Sequence, residues 1–577
     1  MFSFTHRLLL ALALCVGALR WARAADGGIV ALPPFMVEEL AKGPPWHYAQ
    51  SPDFEILSRC NDATTRSMTE AYHRLHRLLD LVLPARFRVR HAVTKTMIYY
   101  DQELRPAASQ EIIAQMLRGK NEAPPPPDIS PSGGLRGMRS YTPDSRRITF
   151  LPNMRLWDVD MMAVFAIVRN GDIDADRMFL TPDYVGYMLR NRTPTLPTWF
   201  IAGFLSLYPQ MKFERETITI PTAEWISPGE TYLLKADPKT TRPLLPWAAF
   251  LRGDHSGNNQ TKEENLRVWA SQAELFIRWG LEGKGSLRRE GFWKFVERSS
   301  VDIPSEKLAQ ECLGFDYAGL AEQLTAFLPT AVRKEMTLRP ESLIRLPPLA
   351  LRLATDGEIA RIKGDWERLE INYVRQRYPD LATKYIEQAR RTLLRAYDRN
   401  DRDPRLLAVL GLCEVDAGND AGARDYLEAA ARLEVVRPRV WLELARLRLA
   451  DYLAAPAVAG KLSADQAADV LTPLFTARQQ NPPLPEVYEM IGDVWSRSAV
   501  NPSRGHLAVL SEGVNLFPRR ASLVYRAAAL FLQHGHLVEA SSLVALGLRV
   551  APDEPERARF AALQARLRAE PANPDAR

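Results

Sequence analysis

Between Ala389 and Ala445 the chain places small residues at a spacing of 34, and that spacing constrains the fold more than any other feature of the sequence. Gly411 is followed 34 residues later by Ala445, and Pro404 by Pro438. Ala389, Leu393 and Ala396 stand 34 residues before Ala423, Leu427 and Ala430. Within each stretch the apolar positions recur three or four residues apart, which is the period of a helix with one buried face. A glycine or alanine on that face lets a second helix approach closely, while leucine fills the space beside it. Such a unit cannot bury its own apolar face and must stack on copies of itself. Two later stretches continue the pattern: PEVYEMIGDVW at 485–495 with Gly492, and Ala521–Pro552 with Ala528, Ala540 and Gly547, closed by Pro552.

This pattern resembles tetratricopeptide repeats over residues 366–570, with a lengthened segment at Leu453–Ala464. The resemblance implies an all-α superhelix in which Gly411, Ala423, Ala430, Ala445, Gly492, Ala528 and Ala540 sit at the close approaches between helices. It also implies a concave surface that holds a peptide or protein partner, without specifying which. Residues 336–365 then read as a helical connector and 571–577 as a disordered tail.

The first 24 residues have a different character. MFSFTHR is short and basic, Leu8–Leu19 is an apolar run, and Ala22-Arg23-Ala24 is a small-residue cleavage site. That order describes a secretory signal peptide, too short to span a bilayer. The expectation is an exported protein, periplasmic or secreted, with no transmembrane span after cleavage. Losing Arg7, Arg20 and Arg23 lowers the formal net charge from +6 to +3, which gives no indication of nucleic-acid binding. Cys60, Cys312 and Cys413 remain, and three thiols cannot all pair within one chain.

Residues 25–53 read as an N-terminal extension and 54–335 as an α+β domain. FEIL at 54–57, TMIYY at 96–100 and RRITFLP at 146–152 are strand-like, and Thr64–Val82 has helical spacing at Met68, Ala71, Tyr72, Leu75, Leu79 and Val82. Pro124–Pro127 followed by SPSGG predicts an exposed loop. Past Pro340 no further strand is expected.

Within this domain, PDYVGYMLRNRTPTLPTWFIAGFLSLY at 182–208 resembles the active-site segment of gluzincin zinc peptidases of the peptidase-MA clan. In that family a helix carries H-E-x-x-H, whose histidines bind zinc while the glutamate activates water, and a second helix supplies a further glutamate ligand. Pro197, Trp199 and Gly203 keep the outline of the second helix. The ligand positions do not survive: Pro182 and Gly186 stand for the histidines, Asp183 for the general base, and Ala202 for the third ligand. The resemblance therefore implies a zincin-type domain without its metal, needing no cofactor and acting by binding. It implies that Tyr184, Trp199 and Gly203 line a groove between the two helices that still accepts a peptide. An active hydrolase with displaced catalytic residues is the alternative.

No substitute site is evident elsewhere. His73 and His76 lie one helical turn apart but beside an apolar stripe and without a third ligand. His534 and His536 flank Gly535 in a turn. Asp172, Asp174 and Asp176, with Asp183 at the twelfth position, resemble a calcium loop but have Arg177 where a glycine is required. Cys60 and Cys312 lack an identifiable base.

Overall fold

The structure is a computed structural model, and it describes residues 29–33, 44–51, 54–83, 95–101, 147–150, 153–168, 182–213, 217–223, 225, 243–253, 262–282, 286–338, 349–454 and 460–569. The expected leader, the expected loop at Pro124–Pro127, the calcium-loop-like stretch at Asp172–Asp176 and the expected tail at 571–577 lie outside these.

The strands are β1 (Ile29–Leu32), β2 (His47–Gln50), β3 (Phe54–Ser58), β4 (Lys95–Asp101), β5 (Arg147–Phe150), β6 (Asn153–Trp157), β7 (Met162–Val168), β8 (Lys212–Phe213), β9 (Ile218–Ile220), β10 (Met336–Leu338) and β11 (Arg352–Leu353). Six of them form one mixed sheet in the order β11-β2-β3-β4-β7-β6. Its centre, β3-β4-β7, is parallel, and its flanking pairs are antiparallel. The three central strands are almost continuously buried, as a parallel sheet covered on both faces requires. Successive side chains therefore serve two different cores.

One face of the sheet carries Phe54, Ile56, Met97, Tyr99 and Val164, packed with α1 (Asp62–Val82) and the helices that follow β7. These helices are α2 (Pro182–Arg190), α3 (Thr198–Leu207), α4 (Trp247–Arg252), α5 (Lys262–Glu282), α6 (Ser286–Val301), α7 (Glu306–Leu313) and α8 (Tyr317–Ala331). Helix α3 is apolar on every side and buried on every side, because it sits in the centre of this group.

The other face carries Leu57, Ile98, Tyr100, Ala163 and Phe165. It is covered by α9 (Asp356–Arg377) through Ile362, Trp366 and Leu369, with the rings of Trp366 and Phe165 5.4 Å apart. The connector expected over 336–365 is thus not a separate element. Helix α9 starts at a Thr355–Glu358 capping box and runs through the expected boundary at residue 366, serving the sheet and the helical half together. Two further expectations change for the same reason. The extension at 25–53 supplies β1 and β2, and a strand does occur beyond Pro340, since β11 pairs with β2 beside the start of α9.

Beyond α9 the helices are α10 (Ala382–Asp398), α11 (Pro404–Ala417), α12 (Asp420–Arg432), α13 (Pro438–Ala454), α14 (Ala464–Arg478), α15 (Pro485–Arg497), α16 (Arg504–Leu516), α17 (Ala521–Gln533), α18 (Leu537–Val550) and α19 (Glu554–Ala569). They pack as successive pairs, α9 with α10, α11 with α12, α13 with α14 and α17 with α18, and α19 closes the stack. Asp403, Asn419, Ser463 and Ser503 cap α11, α12, α14 and α16 at their N-termini, and Gly418 ends α11 in the left-handed conformation. Ala423, Ala430, Ala445, Ala528 and Ala540 are fully buried between helices. A Cβ on Gly411 would stand 2.6 Å from Leu427, so the closest approach there needs glycine. Gly492 differs, since its nearest neighbour would lie 3.6 Å away in ordinary contact.

Candidate functional site

The segment resembling a peptidase active site folds as two adjacent helices, α2 and α3, joined by residues 191–197. Pro182 and Gly186 share one face of α2, four residues apart, and Ala202 is buried on α3. Neither proline nor glycine brings an imidazole to that face, and alanine brings no oxygen. The Arg190 guanidinium lies 3.2 Å from where a Cβ on residue 186 would stand. A cationic side chain thus covers residue 186, and the residue types at 182, 186 and 202 do not fit a zinc ion. Among the described residues no group of three or more His, Cys, Asp and Glu side chains converges as metal ligands.

The groove expected at Tyr184, Trp199 and Gly203 is closed. Trp199 is fully buried among Phe200, Phe250, Phe276, Phe292 and Phe295, with ring centroids 5.0–6.4 Å from its own. Gly203 faces α5, where a Cβ would meet the Ala273 main chain at 2.5 Å. Tyr184 packs on Tyr72 at 5.1 Å, and its hydroxyl is 2.5 Å from His76 Nε2. Tyr184, Trp199 and Gly203 are therefore core residues, and the expected groove between the two helices is filled by that core.

The other candidates are similarly placed. His73 lies against the Phe54 ring at 4.5 Å, and His76 bonds Tyr184. His534 and His536 bracket the left-handed Gly535 between α17 and α18. Burial pushes the Cys60 thiol up to about 12, assisted by the Asp101 charge, which leaves it protonated at neutral pH.

The open site lies one turn further along the same segment. Residues 190–198, between α2 and α3, form one wall of a cleft of about 570 Å³ whose opposite wall is Pro482–Glu486 and Phe517–Arg520 of the helical half. A second recess of about 270 Å³ continues it past Arg192 and Pro483 to Arg478 and Glu512. Leu196, Ile201, Leu484 and Phe517 give the cleft an apolar floor, and Pro482, Pro483, Pro485 and Pro518 make the far wall rigid and poor in N–H donors. Arg478 holds Glu512 through two bonds of 3.0 and 2.9 Å, and Arg520 donates to Glu489 at 2.9 Å. Arg519 instead donates to the main-chain carbonyls of Ser299 and Asp302 at the end of α6. Sequence reasoning missed this cleft because loops with no periodicity build it; the RNR at 190–192 and the PPLP at 482–485 were the available signals.

Two buried charge clusters join the sheet to the helical half. Arg368 on α9, wholly buried, contacts Asp158, Asp365 and Asp416 at 2.8 Å each. Arg439 adds bonds of 2.6 Å to Asp158 and Asp416, and Arg437 one of 2.8 Å to Asp365. Burial alone would raise the Asp158 carboxyl, but Arg439, Arg368 and Arg437 hold it well below the usual carboxylate range. Asp158 follows β6, so this cluster ties the sheet to three helices of the stack. Glu55 on β3 is gripped by Arg361 through two bonds of 2.8 Å and by Arg405 at 2.9 Å.

No known family matches the chain as a whole or in part, and no curated protein matches its sequence. Solved structures do resemble it. TTC0263, a thermophilic TPR protein of Thermus thermophilus, is 21% identical over 34% of this chain and 98% of its own, with a TM-score of 0.24. YrrB, a TPR protein described with an unusual peptide-binding site, is 14% identical over 34% of this chain and 90% of its own, with a TM-score of 0.26. Pseudomonas aeruginosa pilF is 13% identical over 36% of this chain and 91% of its own, with a TM-score of 0.25. The helical half is built like a tetratricopeptide array. Its own helix pairs and their 34-residue spacing, rather than these distant likenesses, carry that statement. Among the described residues no helix is long and apolar enough to cross a membrane.

Proposed function

We propose that this chain is an exported, noncatalytic binding protein: a degenerate gluzincin-like domain fused to a tetratricopeptide array, which captures a peptide or protein partner as a scaffold does. The observation that carries the reading is the cleft shared by residues 190–198 and the helical half, open where the peptidase-like core is closed. The order of elements agrees with a peptidase ancestry, with a mixed sheet followed by the pair α2 and α3, the longer α5 and α6, and the closing α8. Loss of every ligand type at positions 182, 186 and 202 favours binding over hydrolysis.

Selection of a displayed peptide library on the full chain tests this. Peptides recovered should protect the backbone amides at 190–198 and 484–486 from hydrogen exchange. Failure to recover any binder, or protection confined to other surfaces, would sink the reading.

A further inference from the structure

A second open surface runs along α14. Ala467, Ala468, Leu471 and Phe475 form one wall of a groove of about 530 Å³, and Trp495, Val500 and His506 form the other. Ala464, Ala468 and Thr472 also line it; they are exposed and four residues apart, so they stand in a row on one side of the helix. Small side chains in a row let another helix approach closely, as Ala423 and Ala430 do inside the array. Among consecutive helices of the stack, α15 and α16 are packed least closely, and they carry the groove's far wall.

Two details point to an occupant. Trp495 is 8% exposed, with His506 stacked on its ring at 4.8 Å, and its indole N–H has no hydrogen-bond partner among the described residues. Lys461 and Arg497 stand next to the Leu462–Ser498 bridge, just before α14 and at the end of α15. Both are exposed, and neither side chain has a hydrogen bond or ion pair among the described residues. Of the two acids on α14, Asp469 is held by Arg448 and Tyr452, which leaves Asp465 to offset the two cations in part. This end of the groove therefore carries uncommitted positive charge. Elsewhere the lining offers little to an extended chain: Thr472 and Thr476 donate their hydroxyls to carbonyls of α14 itself. A helix arrives with its main-chain groups already paired, and an extended segment does not.

We infer that this groove takes one amphipathic helix of a partner protein, small and apolar on the face it buries and acidic at the end beside Lys461 and Arg497. The site is additional to the cleft and does not rest on it. The 15 residues of α14 give a wall about 22 Å long, enough for about four turns of the partner. An acceptor at the polar edge of that helix can recover the cost of the unpaired indole N–H.

The test uses the full chain and three labelled helical peptides as long as α14, sharing one face of alanine and leucine and carrying Glu, Gln or Lys in the terminal turn. Fluorescence anisotropy should show the Glu helix binding about fivefold tighter than the Gln helix, with the Lys helix weakest. The double variant K461Q R497Q should remove the preference for Glu and leave the Gln helix unchanged, because neither cation is committed within the fold. A468W, which fills the groove from an exposed position, should weaken all three about tenfold or more. The peptide series on the unmodified chain and the charge variant leave the packing untouched, so a folding defect in A468W would not obscure the answer. Absence of binding, equal binding of the Glu and Gln helices, or binding that folded A468W leaves unchanged overturns the inference. Preference for phosphatidylglycerol vesicles over the Glu helix overturns it too, in favour of a membrane-facing surface. Any of these results leaves the reading of the cleft standing, which is tested at residues 190–198.

Discussion

Gly203 and Gly492 occupy equivalent-looking helix positions, and their surroundings predict opposite outcomes. Gly203 lets α3 lie against the main chain of Ala273, which cannot move aside as a side chain could. G203V should therefore cost about 1–3 kcal/mol in denaturant unfolding. Gly492 is in the interior of α15, where a Cβ would make only ordinary contacts, the nearest at 3.6 Å. G492A should stabilise by roughly 0.5–1 kcal/mol, because alanine loses less conformational freedom on entering a helix. If both variants destabilise alike, the packing distances at these glycines are wrong. At this scale a residue type bears on chemistry directly, since Gly186 and Ala202 carry no side chain that can bind a metal. The sequence is less readable where packing decides: Trp199 and Gly203 look like site residues but lie in the core, and spacing alone does not separate the two causes.

Helix α9 was the element least visible beforehand. Arg361, Lys363, Asp365, Glu367, Arg368 and Glu370 lie among its apolar residues and resemble a solvated surface, yet all six are buried. Their partners, such as Glu55, Asp158 and Asp416, stand up to hundreds of residues away, which no local period reveals. The 34-residue pairs and the strands β3 and β4 were legible because their signals are local. One consequence of the buried charges can be measured. Burial pushes Glu367 up to about 7, against the opposing pull of Lys363 on its own helix and of Gln388, Thr392 and Arg391 on α10; Glu370, one turn on, is also raised, with Glu367 contributing to that rise. A carboxyl raised in the folded state contributes fully below its unfolded value near 4.5 and loses that contribution as pH rises through about 7. Stability should thus decline from about pH 4.5 to 7 and level off by pH 8, where E367Q should be more stable than the unmodified chain by roughly 1–2 kcal/mol. Chemical denaturation across that range checks it, and parallel pH profiles for the two proteins would contradict it.

At the scale of the molecule, the sheet and the helical array share a core through α9, so they should unfold together. Tryptophan fluorescence, to which buried Trp366 and Trp199 contribute, and helical circular dichroism should give coincident transitions. R368L leaves Asp158, Asp365 and Asp416 short of a cation in a buried site and should cost about 3–5 kcal/mol. It should also separate the two transitions, since this arginine joins the β6–β7 turn to the stack; a surviving single transition with little loss would mean that the apolar contacts of α9 suffice. The cleft is lined from both of the halves that this junction joins, and the function proposed for it is binding without cleavage. The most direct test is elemental analysis for zinc on the purified full chain, paired with a casein-cleavage assay run with and without chelator. Zinc far below one ion per chain and no cleavage in either condition are the predicted results; stoichiometric zinc with cleavage abolished by the chelator would contradict the account.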